Sequence, residues 1–247
     1  MKRYEEKYTI RLADCDEQQR LRFPVLIDLL MTLSNHQLRK TDLDMAHLLQ
    51  EDRGWVVIQY DFEVSALPKA GETITLWTCA VGYNRFFEYR DFGIVSAEGS
   101  ELIHVSSQWV ILDLKARRIQ PADPAKMIPF GAPALTHLPK MRRLVALKHY
   151  EESKKYRVRY YDLDTNRHMT NSHYFDWLFD SLPRLFLDTN CPRRMSIKFD
   201  REIHYGDEAE VKHQLTVAED GSVSDFAIMA HGKVSALAQI DWQKPQE

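Results

Sequence analysis

The chain repeats itself. Residues 155–179 read as a degenerate copy of residues 7–31. At a constant offset Lys7 falls on Lys155, Tyr8 on Tyr156, Arg11 on Arg159, Asp14 on Asp162, Asp16 on Asp164, Asp28 on Asp176 and Leu30 on Leu178. A repeat of such long period restricts the fold to similar modules in tandem. The copies part at two positions that matter chemically. Gln18 stands opposite Asn166 and Arg20 opposite His168, so one half reads Asp-x-Gln-x-Arg and the other Asp-x-Asn-x-His. Only the second copy has an imidazole with which to move a proton.

The duplication divides the 247 residues into an N-terminal module at 1–120, a connector at 121–150 and a C-terminal module at 151–247. Each module is close to an ordinary domain in size. Pro121, Pro124, Pro129, Pro133 and Pro139 exclude a central strand or long helix from the connector, which is expected to run extended over one surface.

Both modules predict the same order of elements. The first has a short strand at Tyr8–Leu12, then a helix over Val25–Leu38 with Pro24 in its first turn, where a missing N–H costs nothing. Strand-like runs follow at Trp55–Val64, Thr73–Val81, Phe86–Val95 and Leu102–Leu112, rich in β-branched and aromatic residues. The second has a strand at Tyr156–Tyr160, a helix over about 172–186 that Pro183 bends or ends, and strands at Met195–Ile203, Glu208–Val217, Ser224–His231 and Val234–Trp242. Gly71-Glu72 reappears as Gly206-Asp207, so the register survives into the strands. A long helix laid on a bent antiparallel sheet buries one continuous core. The expected class is therefore α+β, a hotdog unit occurring twice.

A net charge of −3 offers no general attraction for nucleic acid or an anionic membrane. No apolar run approaches the ~20 residues of a membrane span. The opening MKRYEEKYTI lacks the apolar core of a secretory signal, so a cytoplasmic protein is expected. Cys15, Cys79 and Cys191 lie far apart without CxxC spacing, which indicates neither a disulfide framework nor a zinc site. His36, His47, His104, His137, His149, His204, His213 and His231 show no HxH or HExxH spacing and read as surface or core residues. Neither a cofactor nor a metal is expected.

Asp162, Asp164, Asn166 and His168 form the best chemical constellation. In an extended segment Asp164, Asn166 and His168 would point to one side, just before a helix whose first amides can hold an oxyanion. Histidine titrates near neutral pH, and a carboxylate beside it fixes its tautomer or raises its basicity. Asp and Asn also cap helices and close turns without chemistry. Asp14 and Asp16 persist in the copy that lacks the histidine, so the aspartates are expected to serve the shared fold as well. Asn166 and His168 are the residues that the fold alone does not demand.

Asp162-Leu163-Asp164-Thr165-Asn166-Arg167-His168-Met169-Thr170-Asn171, followed by Tyr174 and Trp177, resembles the signature of the acyl-acyl carrier protein (ACP) thioesterases of plants and bacteria. The likeness extends to Glu88-Tyr89-Arg90-Asp91-Phe92, Ser107-Gln108-Trp109-Val110 and Lys198-Phe199-Asp200-Arg201-Glu202. It implies a bacterial member of the plant-type family, with a catalytic set of Asp164, Asn166, His168 and Glu202. Taken alone, Glu202 could equally pair with Arg201 or a lysine on an exposed strand. Its counterpart through the Gly71 and Gly206 turns is Leu67. Plant members carry a cysteine after that glutamate; Ile203 stands here, which leaves water as the attacking group.

The implied function is hydrolysis of fatty acyl-ACP, ending fatty-acid synthesis. Glu202 or Asp164 would act as base, and amides near residues 170–172 would hold the oxyanion. The first module would bind the acyl chain and the second would carry the chemistry. The acidic carrier would meet some of Arg142, Arg143, Lys148, Lys154, Lys155, Arg193 and Arg194. Rival readings are an acyl-CoA thioesterase, a hotdog enoyl hydratase and a non-catalytic acyl-binding protein. Single hotdog units pair, so the duplication either supplies that pairing within one chain or leaves a homodimer to form.

Overall fold

The structure, a computed structural model, describes residues 2–39, 41, 43–218 and 221–244. It falls into two compact units, Met1–Met141 and Arg142–Glu247, which part inside the expected connector.

The first unit runs β1 (Tyr4–Thr9), α1 (Phe23–Leu38), α2 (Met45–Gln50), β2 (Arg53–Val64), β3 (Thr73–Tyr83), β4 (Glu88–Val95), β5 (Glu101–Asp113) and β6 (Arg118–Gln120), followed by α3 (Pro124–Met127). The second runs β7 (Glu152–Arg157), α4 (Asn171–Asp180), α5 (Arg184–Thr189), β8 (Cys191–Phe199), β9 (Glu208–Thr216), β10 (Ser222–Ala230) and β11 (Lys233–Gln243). Neighbouring strands are antiparallel, in the order β1-β3-β4-β5-β2 in the first unit and β7-β9-β10-β11-β8 in the second. Matching elements thus occupy matching places, as the duplication requires.

Each long helix supplies the core of its own unit. Phe23, Leu26, Ile27, Leu30 and Leu33 of α1 are buried, as are Phe62, Leu76, Phe92, Ile94 and Val105 on the strands. Phe23 meets Phe62 edge-on at 5.9 Å. On α4 the buried set is Tyr174, Phe175, Trp177 and Leu178, with Trp177 stacked on Tyr156 at 5.1 Å and Tyr174 edge-on to Phe199 at 5.0 Å. Burying each such side chain contributes about 1.5–3 kcal/mol, which outweighs the absence of a side-chain N-cap bond on either helix.

Several expectations need correction. The strand expected at Met195–Ile203 lies at Cys191–Phe199, because the amides of Asp200 and Arg201 both turn onto the Ser235 carbonyl. The strands expected at 8–12 and 156–160 end at Thr9 and Arg157, because Leu12–Asp14 and Tyr160–Asp162 coil into single 3-10 turns. In each, the third residue's carboxylate reaches back to the amide of Arg11 or Arg159. The second long helix stops at Asp180 rather than continuing to about 186. Proline keeps the preceding residue out of helical geometry, and the separate helix α5 starts after Pro183. The connector is not simply extended. Its first part coils into α3 and a 3-10 turn at Ile128–Phe130, burying Met127 and Phe130 against Leu38, Leu43 and Leu48.

Candidate active site

Each unit carries the same turn between its first strand and long helix. In the first, Asp14 is buried and accepts from the Arg11 amide (2.9 Å), the Arg11 guanidinium (2.8 Å) and the Tyr8 hydroxyl (2.7 Å). Burial works against its ionisation, yet these donors hold its pKa down at about 2. Asp162 repeats the arrangement with the Arg159 amide (2.7 Å) and guanidinium (2.8 Å). Its pKa is also lowered: burial opposes the shift, and Arg159 outweighs it. Both aspartates hold the turn.

The next aspartate closes a tight loop. Asp164 Oδ1 accepts from the amides of Asn166 (2.8 Å) and His168 (3.2 Å), while its own amide donates to the His168 carbonyl (2.8 Å). The loop turns at Arg167, whose φ of 66° lies in the left-handed region. Residues 164–168 therefore do not run extended, and the expected alternation of side chains is replaced by a turn built around the Asp164 carboxylate. The first unit has the same loop. Asp16 Oδ1 accepts from Gln18 and Arg20 (2.9 Å each), and Gln19 has φ 61°.

The turn before the third strand of each unit supplies the facing group. Gly71 and Gly206 sit at φ 87° and 80°, and their amides donate to the carbonyls of Ile10 and Val158. A side chain at either position would be strained. The Leu21 amide reaches the Pro68 carbonyl, and the Met169 amide the Ile203 carbonyl, at 2.8 Å each. These matched contacts set Leu67 opposite Glu202 and Lys69 opposite His204.

Here the two units diverge. Arg20 folds back onto its own loop, with Nε 2.9 Å and a terminal nitrogen 2.8 Å from Asp16 Oδ2. His168 instead places Nε2 3.3 Å from Glu202 Oε2, with both side chains mostly buried. Burial, reinforced by the Glu202 charge, raises the Tyr174 pKa, so the phenol beside this carboxylate stays protonated. Asn166 Oδ1 is buried with no hydrogen-bond partner among the described residues. An acceptor left so is costly unless a ligand or water donates to it.

Of the four expected residues, His168 and Glu202 come together directly. Asp164 is a turn staple, and Asn166 stays on the Asp164 loop, its Nδ2 3.5 Å from Asp164 Oδ2. The Thr170 amide is committed to the Asp162 carbonyl at 2.8 Å, which leaves Asn171 and Ser172 as the first-turn amides of α4. Ile203 is fully buried, and the half-buried Cys191 lies on β8 with its thiol 3.6 Å from the Gln243 carbonyl. His204 escaped sequence reasoning. Its ring meets His168 edge-on at 4.9 Å, and ligand atoms of His168, Glu202 and His204 lie within 4.8 Å of one another. The weak signal was its place two residues after Glu202, on the same side of an extended segment.

The expected carrier-facing cations are partly spent. Arg142 and Arg194 both bind Asp241, at 2.9 Å each, and Lys154 binds Asp180 at 2.7 Å.

Two hotdog units, one with His168 facing Glu202 across its matched turns and the other with Arg20 and Leu67 in those places, define a tandem hotdog protein with an asymmetric candidate site. Residues 1–126 match the acyl-ACP thioesterase N-terminal domain, and residues 146–244 match the C-terminal domain. The chain belongs to the acyl-ACP thioesterase family. It is 25% identical over 211 residues to a chloroplastic acyl-ACP hydrolase of Cuphea viscosissima, covering 79% of this chain and 50% of that protein. It is 22% identical over 236 residues to an oleoyl-ACP thioesterase of Arabidopsis thaliana, covering 83% and 61%. The chain thus spans between half and three-fifths of the length of these two relatives. A Lactobacillus plantarum structure assigned as an oleoyl thioesterase superposes with a TM-score of 0.94 at 28% identity, covering 100% of this chain and 98% of the other. The 12:0-ACP thioesterase of Umbellularia californica gives 0.85 at 16% identity, covering 98% and 94%, a likeness of fold. No helix among the described residues is long and apolar enough to cross a membrane.

Proposed function

We propose that this chain hydrolyses fatty acyl-ACP to a free fatty acid and the thiol of the carrier, with Glu202 as general base. The observation that carries this reading is the 3.3 Å contact between His168 Nε2 and Glu202 Oε2, in the unit whose loop ends in histidine where the other ends in Arg20. Asp164 is a poorer base, because its carboxylate is already engaged by two backbone amides. Glu202 takes a proton from water as the oxygen attacks the thioester carbonyl. The oxyanion is held by the Asn171 and Ser172 amides, where a helix start presents positive charge. As the C–S bond breaks, the proton returns to sulfur through His168, and a C–O bond has replaced it. Asn166 offers its unpartnered Oδ1 to the water or the substrate amide. The first unit binds the acyl chain. The exposed Arg143, Lys148, Lys155 and Arg193 attract the acidic carrier.

Incubating the protein with a panel of acyl-ACP and acyl-CoA thioesters, and identifying the products by mass spectrometry, tests this proposal. Free acid and free thiol, formed faster from the carrier-bound substrates, are expected. Preference for CoA substrates would reassign the handle. Water added across an enoyl group without thiol release, or tight acyl binding without turnover, would overturn the reaction.

A further inference from the structure

The His204 side chain is unused by the reaction above, yet it completes a set of three ligands. We propose that His168, Glu202 and His204 form a site for zinc, or a similar late first-row divalent cation, and that the bound metal blocks catalysis. Two ligands about 2.1 Å from a tetrahedral ion lie about 3.4 Å apart, and the His168 Nε2 to Glu202 Oε2 separation is 3.3 Å. The His204 ligand atom lies within 4.8 Å of both. Two imidazoles and one carboxylate are a donor set suited to zinc.

Carboxylates fix the backbone of both turns that carry the histidines. The His168 amide is fixed by Asp164 Oδ1 at 3.2 Å, and the His204 amide by Asp207 Oδ2 at 2.9 Å. Asp207 is itself anchored to His231 Nε2 at 3.0 Å. His168 and His204 face each other across an antiparallel bridge. The linear sequence hides the set, since Glu202 and His204 are close neighbours but His168 comes from another turn. The matching positions of the first unit are Arg20, Leu67 and Lys69, none of which is a metal ligand there.

Binding rests on this geometry alone, whereas inhibition rests on the proposed roles of His168 and Glu202. A metal would occupy the Nε2 and carboxylate lone pairs that accept and pass the proton, so turnover and metal binding exclude each other.

Chelator-treated protein titrated with zinc against a chromophoric indicator reads binding without activity. One equivalent is expected to bind. His204→Ala is expected to weaken binding by at least about tenfold, the scale on which even outer partners of a metal ligand act. Because His204 is exposed, the variant should fold. X-ray absorption of the zinc-loaded wild-type protein gives a second readout, with two imidazoles expected in the first coordination sphere. Equal affinity in wild type and His204→Ala, or a coordination sphere without imidazole, would overturn the site. Separately, zinc should lower hydrolysis of acyl-ACP and excess chelator should restore it. Unchanged or increased turnover in the zinc-saturated enzyme would overturn the inhibition. Failure of all thioester hydrolysis without metal would count against the proposed function and leave the binding result standing.

Discussion

In the turn after β1, Asp16 takes the amides of Gln18 and Arg20 and then the Arg20 guanidinium. In the turn after β7, Asp164 takes the amides of Asn166 and His168, but the His168 ring leaves the loop for Glu202. The backbone is the same, down to the left-handed residue at Gln19 or Arg167. The comparison separates what the fold requires from what chemistry adds. The paired aspartates, the preceding arginines and the glycine turn belong to both copies. Asn, His and Glu belong to one. Arg20 closes its loop with a permanent charge, whereas His168 can exchange a proton.

The largest expected effect breaks the comparison at this point. His168→Ala and Glu202→Ala should each lower kcat by about 100-fold or more, the scale of general acid–base catalysis. Arg20→Ala in the matching position should leave kcat within about threefold. Steady-state kinetics on acyl-ACP, with the urea midpoint as a folding control, checks all three.

Next come the buried aspartates that both turns share. A carboxylate with a lowered folded-state pKa contributes stability that is present above its unfolded value near 4. That stability is lost as pH falls through the folded value, which is about 2 for Asp14. Its contribution at neutral pH is about 2 kcal/mol. Urea unfolding between pH 5 and pH 2 should show this loss, and Asp14→Asn or Asp162→Asn should flatten the profile. Equal acid sensitivity in both variants and the wild type would remove these residues from the account.

A smaller effect sharpens the comparison. Asp16→Ala and Asp164→Ala each strip two backbone amides of an acceptor and should cost about 1 kcal/mol, as loss of a cap does. Both stabilities should fall, that of Asp16→Ala further, because it also strips the Arg20 guanidinium of its partner. Only Asp164→Ala should also slow turnover, by about tenfold, because His168 loses the anchor of its backbone.

The smallest effect belongs to His173 on α4. Its pKa is raised, first by the bond to Asp176 at 2.9 Å, with burial opposing and Asp162 assisting. Its contribution is therefore full below the unfolded value near 6.5 and is lost as pH rises through the folded one. Partial solvent exposure limits it to below about 1 kcal/mol. His173→Gln should narrow the stability difference between pH 6 and pH 9.

Much of this was legible in the sequence, for reasons that differ by element. The long helices and main strands announced themselves through periodicity, because each has one buried face. Met45–Gln50 was missed because Leu48 is its single buried residue, too little to set a period. Arg118–Gln120 was missed for the same reason: it is a three-residue edge strand without a buried side chain. The Asp-x-Asn-x-His segment was found by comparing the copies, but its shape was misread. Alternation holds only for extended backbone, and here a side-chain carboxylate captures two amides and forces a turn. Glu202 carried no signal of its own and was reached through family resemblance. His204 was passed over because its partners come from two separate turns, and linear spacing cannot express that.

The central claim is that His168 and Glu202 act as one unit. A double-mutant cycle on kcat, using His168→Ala, Glu202→Ala and the double variant on acyl-ACP, measures this directly. The account predicts strong non-additivity, with the double variant no more than a few-fold slower than the slower single variant. Losses that simply multiply would show two independent groups and contradict it.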